Sequence, residues 1–150
     1  MLNSDVKLKA RASALASLAM REHSVFDLAE KLLRKDYPAE IVADLVEVLQ
    51  QEGLLSDFRF AEMYWRSRSS KGYGPIKIRQ ELELKQVSSD DVNSGMVAAA
   101  IDFEPIIIKV YAKKYKDQPV QDFKDKAKRM NYLYRRGFPT DMMSWVELEH

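Results

Sequence analysis

Between residues 59 and 85, seven cations (Arg59, Arg66, Arg68, Lys71, Lys77, Arg79 and Lys85) stand against three carboxylates, Glu62, Glu81 and Glu83. Such an excess of one sign, in a chain whose formal net charge is only +1, reads as a surface for an anionic or acidic partner. Aromatic rings are interleaved with it. Rings beside arginines can stack unpaired bases, but Phe60, Ala61, Tyr64 and Trp65 repeat at helical spacing, so Tyr64 and Trp65 read as core. Tyr73, between Gly72 and Gly74, is left as a contact candidate. A second basic run holds Lys124, Lys126, Lys128, Arg129, Arg135 and Arg136. With Arg66, Arg68, Lys71, Tyr73, Lys77, Arg79 and Lys85, these six are the candidate residues for binding a protein or nucleic-acid partner.

Other chemistry is poorly provided for. The chain has no cysteine, which removes disulfides, thiolate nucleophiles and cysteine zinc sites and suits a cytoplasmic protein. His23 has Asp27 one turn away, half a metal site at most, and reads as a surface or cap-associated histidine. Asp90 and Asp91 have no histidine beside them and read as first-turn carboxylates favoured by the helix dipole. No serine has a base and an orienter, and the Lys71-Gly72-Tyr73-Gly74-Pro75 turn lacks the strand and the Gly-Lys-Ser/Thr ending of a phosphate loop. We therefore expect no catalytic residues, metal or cofactor. No apolar run approaches the ~20 residues of a membrane span. Leu148-Glu149-His150 reads as the start of a vector-encoded histidine tag.

These candidates must be positioned by helices. Leu8, Ala12, Leu15 and Ala19 predict an amphipathic helix over 5–21. Ser24 can cap a second, with the stripe Val25, Leu28, Ala29, Leu32 and Leu33. Pro38 opens a third, carrying Ile41, Val42, Leu45, Val46 and Leu49 up to Gly53. Ser56 or Asp57 caps a fourth helix to about residue 70, Pro75 starts a fifth to 86, and Ser88 caps a sixth to 101 with Val92, Met96, Val97 and Ala100. Ile106, Ile107, Val110 and Tyr111 mark a seventh; Phe123, Ala127, Met130 and Tyr134 an eighth; Met142, Met143 and Val146 a ninth.

The plan repeats. Leu32, Leu82 and Leu133 align at offsets of 50 and 51, with Lys35, Lys85 and Arg136, then Tyr37, Val87 and Phe138, then Pro38, Ser88 and Pro139. Three units are expected, 1–53, 54–101 and 102–147, with 148–150 left over. One such unit has too little core to be stable alone, so neighbours should stack into an elongated, all-α tandem array of three three-helix repeats. No heptad seam is left unassigned, so a monomer is expected. Charge alternates along the array: +3 over 1–21, −6 over 22–57, +4 over 58–86, −4 over 87–108, +7 over 109–136 and −3 over 137–150.

The stretch 67–82, SRSSKGYGPIKIRQEL, preceded by GLLSDFRFAEMY, resembles the central signature of the RecX family, bacterial regulators of the RecA recombinase. REHSVFDLAEKL over 21–32 resembles the family's first-repeat motif, and YLYRRGFPTDMM over 132–143 its last. The resemblance implies a non-enzymatic protein of three helical repeats that binds RecA filaments on DNA in their helical groove and restrains extension, ATP hydrolysis and strand exchange in recombination and DNA repair. Ser56 stands where an acidic residue is frequent, and Gln86 where glycine is usual, so an irregular corner is expected before the sixth helix. The rival reading is an autonomous DNA-binding protein, single- or double-strand, with helix-turn-helix-like modules. Against it, base-reading side chains do not gather at one helix N-terminus. A helical adaptor without nucleic acid is the third reading.

Overall fold

The computed structural model describes residues 2–149, all helical or loop. Its elements are α1 (Leu2–Met20), α2 (Val25–Arg34), α3 (Ala39–Gln51), α4 (Asp57–Ser70), α5 (Pro75–Leu84), α6 (Ser89–Ala99), α7 (Phe103–Tyr115), α8 (Phe123–Arg135) and a 3-10 segment, Thr140–Trp145. Short polar side chains start the helices by accepting from orphan amides of the first turn. Ser24 Oγ accepts from Asp27 N at 3.0 Å, Ser56 Oγ from Arg59 N at 3.2 Å, Ser88 Oγ from Asp91 N at 3.2 Å, and Asp122 Oδ1 from Asp125 N at 2.8 Å.

The repeat is visible at its corners. Leu32, Leu82 and Leu133 are fully buried, and the next turn places Asp36, Gln86 and Gly137 at φ of 65°, 59° and 103°. In each corner the amide one residue further on, at Tyr37, Val87 or Phe138, donates back to the carbonyl of the buried leucine, at 3.0 to 3.3 Å. Gln86 thus takes the left-handed conformation that glycine takes in the third unit, and the corner before α6 is regular rather than irregular. The closing hydrogen bonds and the buried Val87 offset the Cβ penalty of about 1–2 kcal/mol.

Two stripes lie elsewhere than the spacing predicts. On α1, Leu8, Ala12, Leu15 and Ala19 are exposed, Leu8 at 68%, while Ala10, Ala14 and Ser17 are buried. Small residues let α1 lie close against its neighbours, helped by Lys35 Nζ donating to Ser13 Oγ at 2.8 Å and by an Arg11–Glu52 ion pair of 2.9 Å. On α8, Phe123, Ala127 and Tyr134 are exposed, and Arg129 and Leu133 are buried. The expected ninth helix is 3-10. Six residues rich in Thr, Asp and Ser are too few to offset the cost of α-helix nucleation. Leu148, read as tag, is buried (7% exposed) against the main core, whereas His150 lies outside the described residues.

Two cores result. Ala14, Leu28, Leu32, Val42, Leu49 and Leu55 form that of the first unit. The second and third units share one larger core built around Phe60, Trp65, Leu82, Phe103, Leu133 and Phe138. Trp65 packs edge-on against Phe103, and Phe103 against Phe138. Within the second unit α4 and α6 cross so closely that a Cβ on Gly95 would stand 2.7 Å from Ala61 Cβ. The solvent-exposed area of 9504 Å² exceeds the about 7,900 Å² of a compact monomer of this mass, as an elongated array requires.

Candidate functional site

The joints between units come first, because they use several of the candidate residues. At the first joint Asp57 Oδ1 accepts from Val25 N at 2.8 Å, so a side chain of α4 caps α2. Partial burial raises the Asp57 carboxyl above its ordinary range even though this hydrogen bond favours the charged form. Lys85 pairs with Asp27 at 2.9 Å, and Arg59 with Glu22 at 3.2 Å. At the second joint the Gly74 and Ile76 amides donate to the Arg136 and Gly137 carbonyls at 2.8 and 2.9 Å. Arg136 returns the contact, donating to the Gly72 and Lys71 carbonyls at 3.1 Å each. The repeat-equivalent cations Lys85 and Arg136 therefore each clasp the preceding unit.

Tyr73 lies in the KGYGP corner among cations. Arg68 Cζ stands 3.9 Å from its ring centre, Arg136 Cζ 4.7 Å and Lys77 Nζ 5.2 Å. Arg68 is also held by a two-pronged pair with Glu81, both bonds 2.9 Å. Tyr64, half-buried, donates to the same carboxylate at 3.1 Å, and burial together with that charge pushes its phenol up to about 12. Trp65 is fully buried and donates to the Val92 carbonyl at 3.0 Å. Neither Tyr64 nor Trp65 is presented for stacking, as their spacing predicts, and Tyr73 is half-buried under three cations.

Arg129 needs correction as a contact candidate. It is 3% exposed, donating to Tyr111 Oη at 2.7 Å, to the Gln118 and Pro119 carbonyls at 2.9 and 3.2 Å, and to Asp125. All its chemistry faces inward, holding the loop between α7 and α8. Lys124, Lys128 and Arg135 are exposed on α8, with Lys126 half-exposed. Arg66 pairs with Glu62 and reaches the Ala98 carbonyl, and Arg79 donates to Asn93 Oδ1 at 2.7 Å; both point to α6, away from the Tyr73 corner.

Two clefts gather the cations. A cleft of about 510 Å³ between α2 and α4 is walled by Arg21, Lys31, Arg34, Arg68, Lys71 and Lys85, with Phe60, Met63 and Tyr64 below them; Asp27 and Glu30 are its carboxylates. A groove of about 790 Å³ runs between the end of α4, α7 and α8. The two meet at Lys71, which lines both. Of the candidates, Arg68, Lys71, Lys85 and Arg136 border these clefts. Arg21, Lys31, Arg34, Lys109, Lys113 and Lys114 were not singled out by spacing. The first three sit in or beside the block that sums to −6, which hides them; the others form an i, i+4, i+5 set on α7 that a helical-wheel count would have found. Among the described residues no group of three or more His, Asp or Glu could hold a metal ion, and no helix is long and apolar enough to cross a membrane.

His23 lines the first cleft. It is buried rather than on the surface, and its Nδ1 lies 3.0 Å from the Arg21 carbonyl. Burial lowers its pKa below the ordinary value of 6.5, and this outweighs the hydrogen bond. Below about pH 6.5 the unfolded chain therefore binds a proton that the folded chain resists, and the contribution of neutral His23 is lost as pH falls through that window. The melting temperature should decline between pH 7.5 and 5.5, and His23→Gln should flatten that decline. Equal slopes for both proteins would show that His23 is not the group responsible.

Comparison with known proteins places these features in a family context. Models for the first, second and third three-helix domains of RecX match residues 10–49, 56–96 and 106–146. The regulatory protein RecX of Pseudomonas entomophila is 32% identical over 139 residues, 93% of this chain and 90% of its own. That of Pseudomonas putida is 33% identical over 139 residues, 93% of this chain and 89% of its own. A crystal structure of a regulatory protein RecX superposes with a TM-score of 0.79 at 23% identity, covering 99% of this chain and 76% of that one. RecX from Lactobacillus salivarius does so at 0.74 and 18%, covering 94% of both. At these identities the superpositions establish the fold.

Proposed function

The chain belongs to the RecX family of regulatory proteins, and on that premise we propose that it binds RecA filaments on DNA and restrains them. It is a non-enzymatic regulator. The array lies along the helical groove of the filament, bridges neighbouring protomers as a monomer in the cytoplasm, and by occupancy slows extension, ATP hydrolysis and strand exchange in recombination and DNA repair. The observation that supports this reading is the pair of clefts meeting at Lys71, whose walls carry an excess of cations drawn from all three units. Such a surface suits an extended partner presenting carboxylates or phosphates at intervals. Arg66, Arg79, Lys124, Lys128 and Arg135, outside the clefts, extend the contact at its margins.

Reversing Lys31, Arg34 and Lys71 together to Glu should abolish inhibition of filament-dependent ATP hydrolysis at physiological salt. The first is half-exposed and the other two are exposed, and no ion pair is formed by any of them among the described residues, so melting should change by only about 0.5 kcal/mol per site. Inhibition by the triple variant equal to that by the wild type would remove the first cleft from the mechanism.

A further inference from the structure

The second groove differs from the first in a way that bears on what it holds. Its cations are Lys71 from the corner after α4, Lys109, Lys113 and Lys114 from α7, and Arg136 from the end of α8; among the described residues no carboxylate lines it. Lys109 and Lys113 stand one helical turn apart and are exposed, with no ion pair among the described residues. Below them the wall is apolar, Pro105, Ile106 and Val110, and beside it lies the ring of Tyr132, half-buried, with Lys114 Nζ 5.2 Å from its centre.

We infer that this groove holds the sugar-phosphate backbone of a single-stranded nucleic acid on its lysines, with bases turned onto Ile106, Val110 and the Tyr132 ring. Four lysines and one arginine make an array of point charges suited to phosphates in series. The one guanidinium in the groove wall, that of Arg136, is already donating to the Gly72 and Lys71 carbonyls, which leaves the lysine ammoniums as the free charges. The apolar floor selects the single strand, since a duplex keeps its bases stacked inside and would leave Ile106 and Val110 uncovered, whereas single-strand sites pair a basic channel with apolar and aromatic platforms. The inference deepens the regulatory reading and takes its biological setting from it, by giving the protein its own hold on DNA.

The test uses the full chain and a fluorescein-labelled oligothymidine, with no recombinase present. Oligothymidine should bind, and Lys109→Gln, Lys113→Gln and Lys114→Gln together should weaken binding at least tenfold at equal melting temperature. Each single-strand phosphate contact contributes about 0.7 to the slope of log affinity against log salt, so the variant's slope should be shallower by about 2. An unchanged slope overturns the inference. So does a duplex of the same length bound as tightly as the single strand, or polyglutamate displacing the oligonucleotide as well as unlabelled oligothymidine does, which would assign the groove to an acidic protein segment. Crosslinking of an iodouracil-substituted oligonucleotide to the wild type is independent of any variant's folding: adducts within 103–115 or at Tyr132 support the site, and adducts confined elsewhere overturn it. Because RecA is absent, failure here leaves filament restraint standing, and failure to inhibit a filament leaves this site standing.

Discussion

Gly74→Ala is expected to cost about 3–5 kcal/mol and to detach the third unit from the second. A Cβ at this position would stand 2.4 Å from the Gly137 carbonyl carbon and 2.6 Å from Phe138 N, and backbone atoms cannot rotate away as a side chain could. Relief requires the corner to open, which breaks the Gly74 N to Arg136 O and Ile76 N to Gly137 O hydrogen bonds. Each such bond contributes about 1 kcal/mol net, and overpacking adds about 1–3 kcal/mol. The melting temperature should fall by roughly 10 °C or more for a chain of this size. Gly53→Ala is the control. Gly53 has φ of 76° but nothing within 4 Å of a Cβ, so only the left-handed backbone penalty of about 1–2 kcal/mol applies. Equal losses for the two variants would show that the close approach between the second and third units does not hold them together.

Arg129→Met should destabilise by about 2–4 kcal/mol although it replaces one long side chain by another. Four acceptors converge on this guanidinium, which also stands 4.4 Å from the Tyr115 ring centre. Methionine fills part of the volume but leaves the half-buried Tyr111 Oη and the carbonyls of Gln118 and Pro119, exposed residues that water can reach, without their donor; an orphaned group costs about 1–3 kcal/mol when fully buried and less where water replaces the donor. Arg129→Lys should rescue little, because one ammonium cannot reproduce a planar fork that serves a carboxylate, a phenol and two carbonyls. Melting curves for both variants decide this, together with amide exchange over 116–122. A melting temperature for Arg129→Met equal to that of the wild type would place the residue back among surface cations.

Sequence patterning carries far where backbone chemistry is local and less far where packing decides. The offsets of 50 and 51 that align Leu32, Leu82 and Leu133 correspond in three dimensions to three corners of one geometry, because a buried leucine, a cap and a left-handed residue are set within one helical turn. At Gln86 the propensity of the residue type is outweighed by hydrogen bonds from its own amide and from that of Val87. On α1 the apolar set Leu8, Ala12, Leu15 and Ala19 has good periodicity but faces solvent, since alanines and Ser17 on the other face permit a closer approach to α2 and α3. On α8 a binary pattern cannot anticipate a buried arginine. Arg129 and Arg135 look alike in sequence, and only the placement of Tyr111, Tyr115 and the 118–119 carbonyls separates a structural lock from an exposed cation.

The clefts were less legible than the fold for a related reason. Their walls come from α2, α4, α7 and α8 together, and summed charge over a contiguous block cannot report a surface assembled from four helices. Cations selected by density alone prove to be structural: Arg68 ties α4 to α5 within the second unit, and Lys85 and Arg136 are engaged in the joints. Their loss would weaken binding through the fold as well as through charge, so they are poor probes of the surface.

Affinity for recombinase-coated and for naked single-stranded DNA of one length, measured side by side over a salt series, bears on filament restraint without assuming which residues carry it. Tighter binding to the coated DNA by about tenfold or more at physiological salt, a difference of about 1.4 kcal/mol, is the result expected of a protein that bridges filament protomers. Equal or weaker binding to the coated DNA would contradict it and leave an autonomous DNA-binding protein.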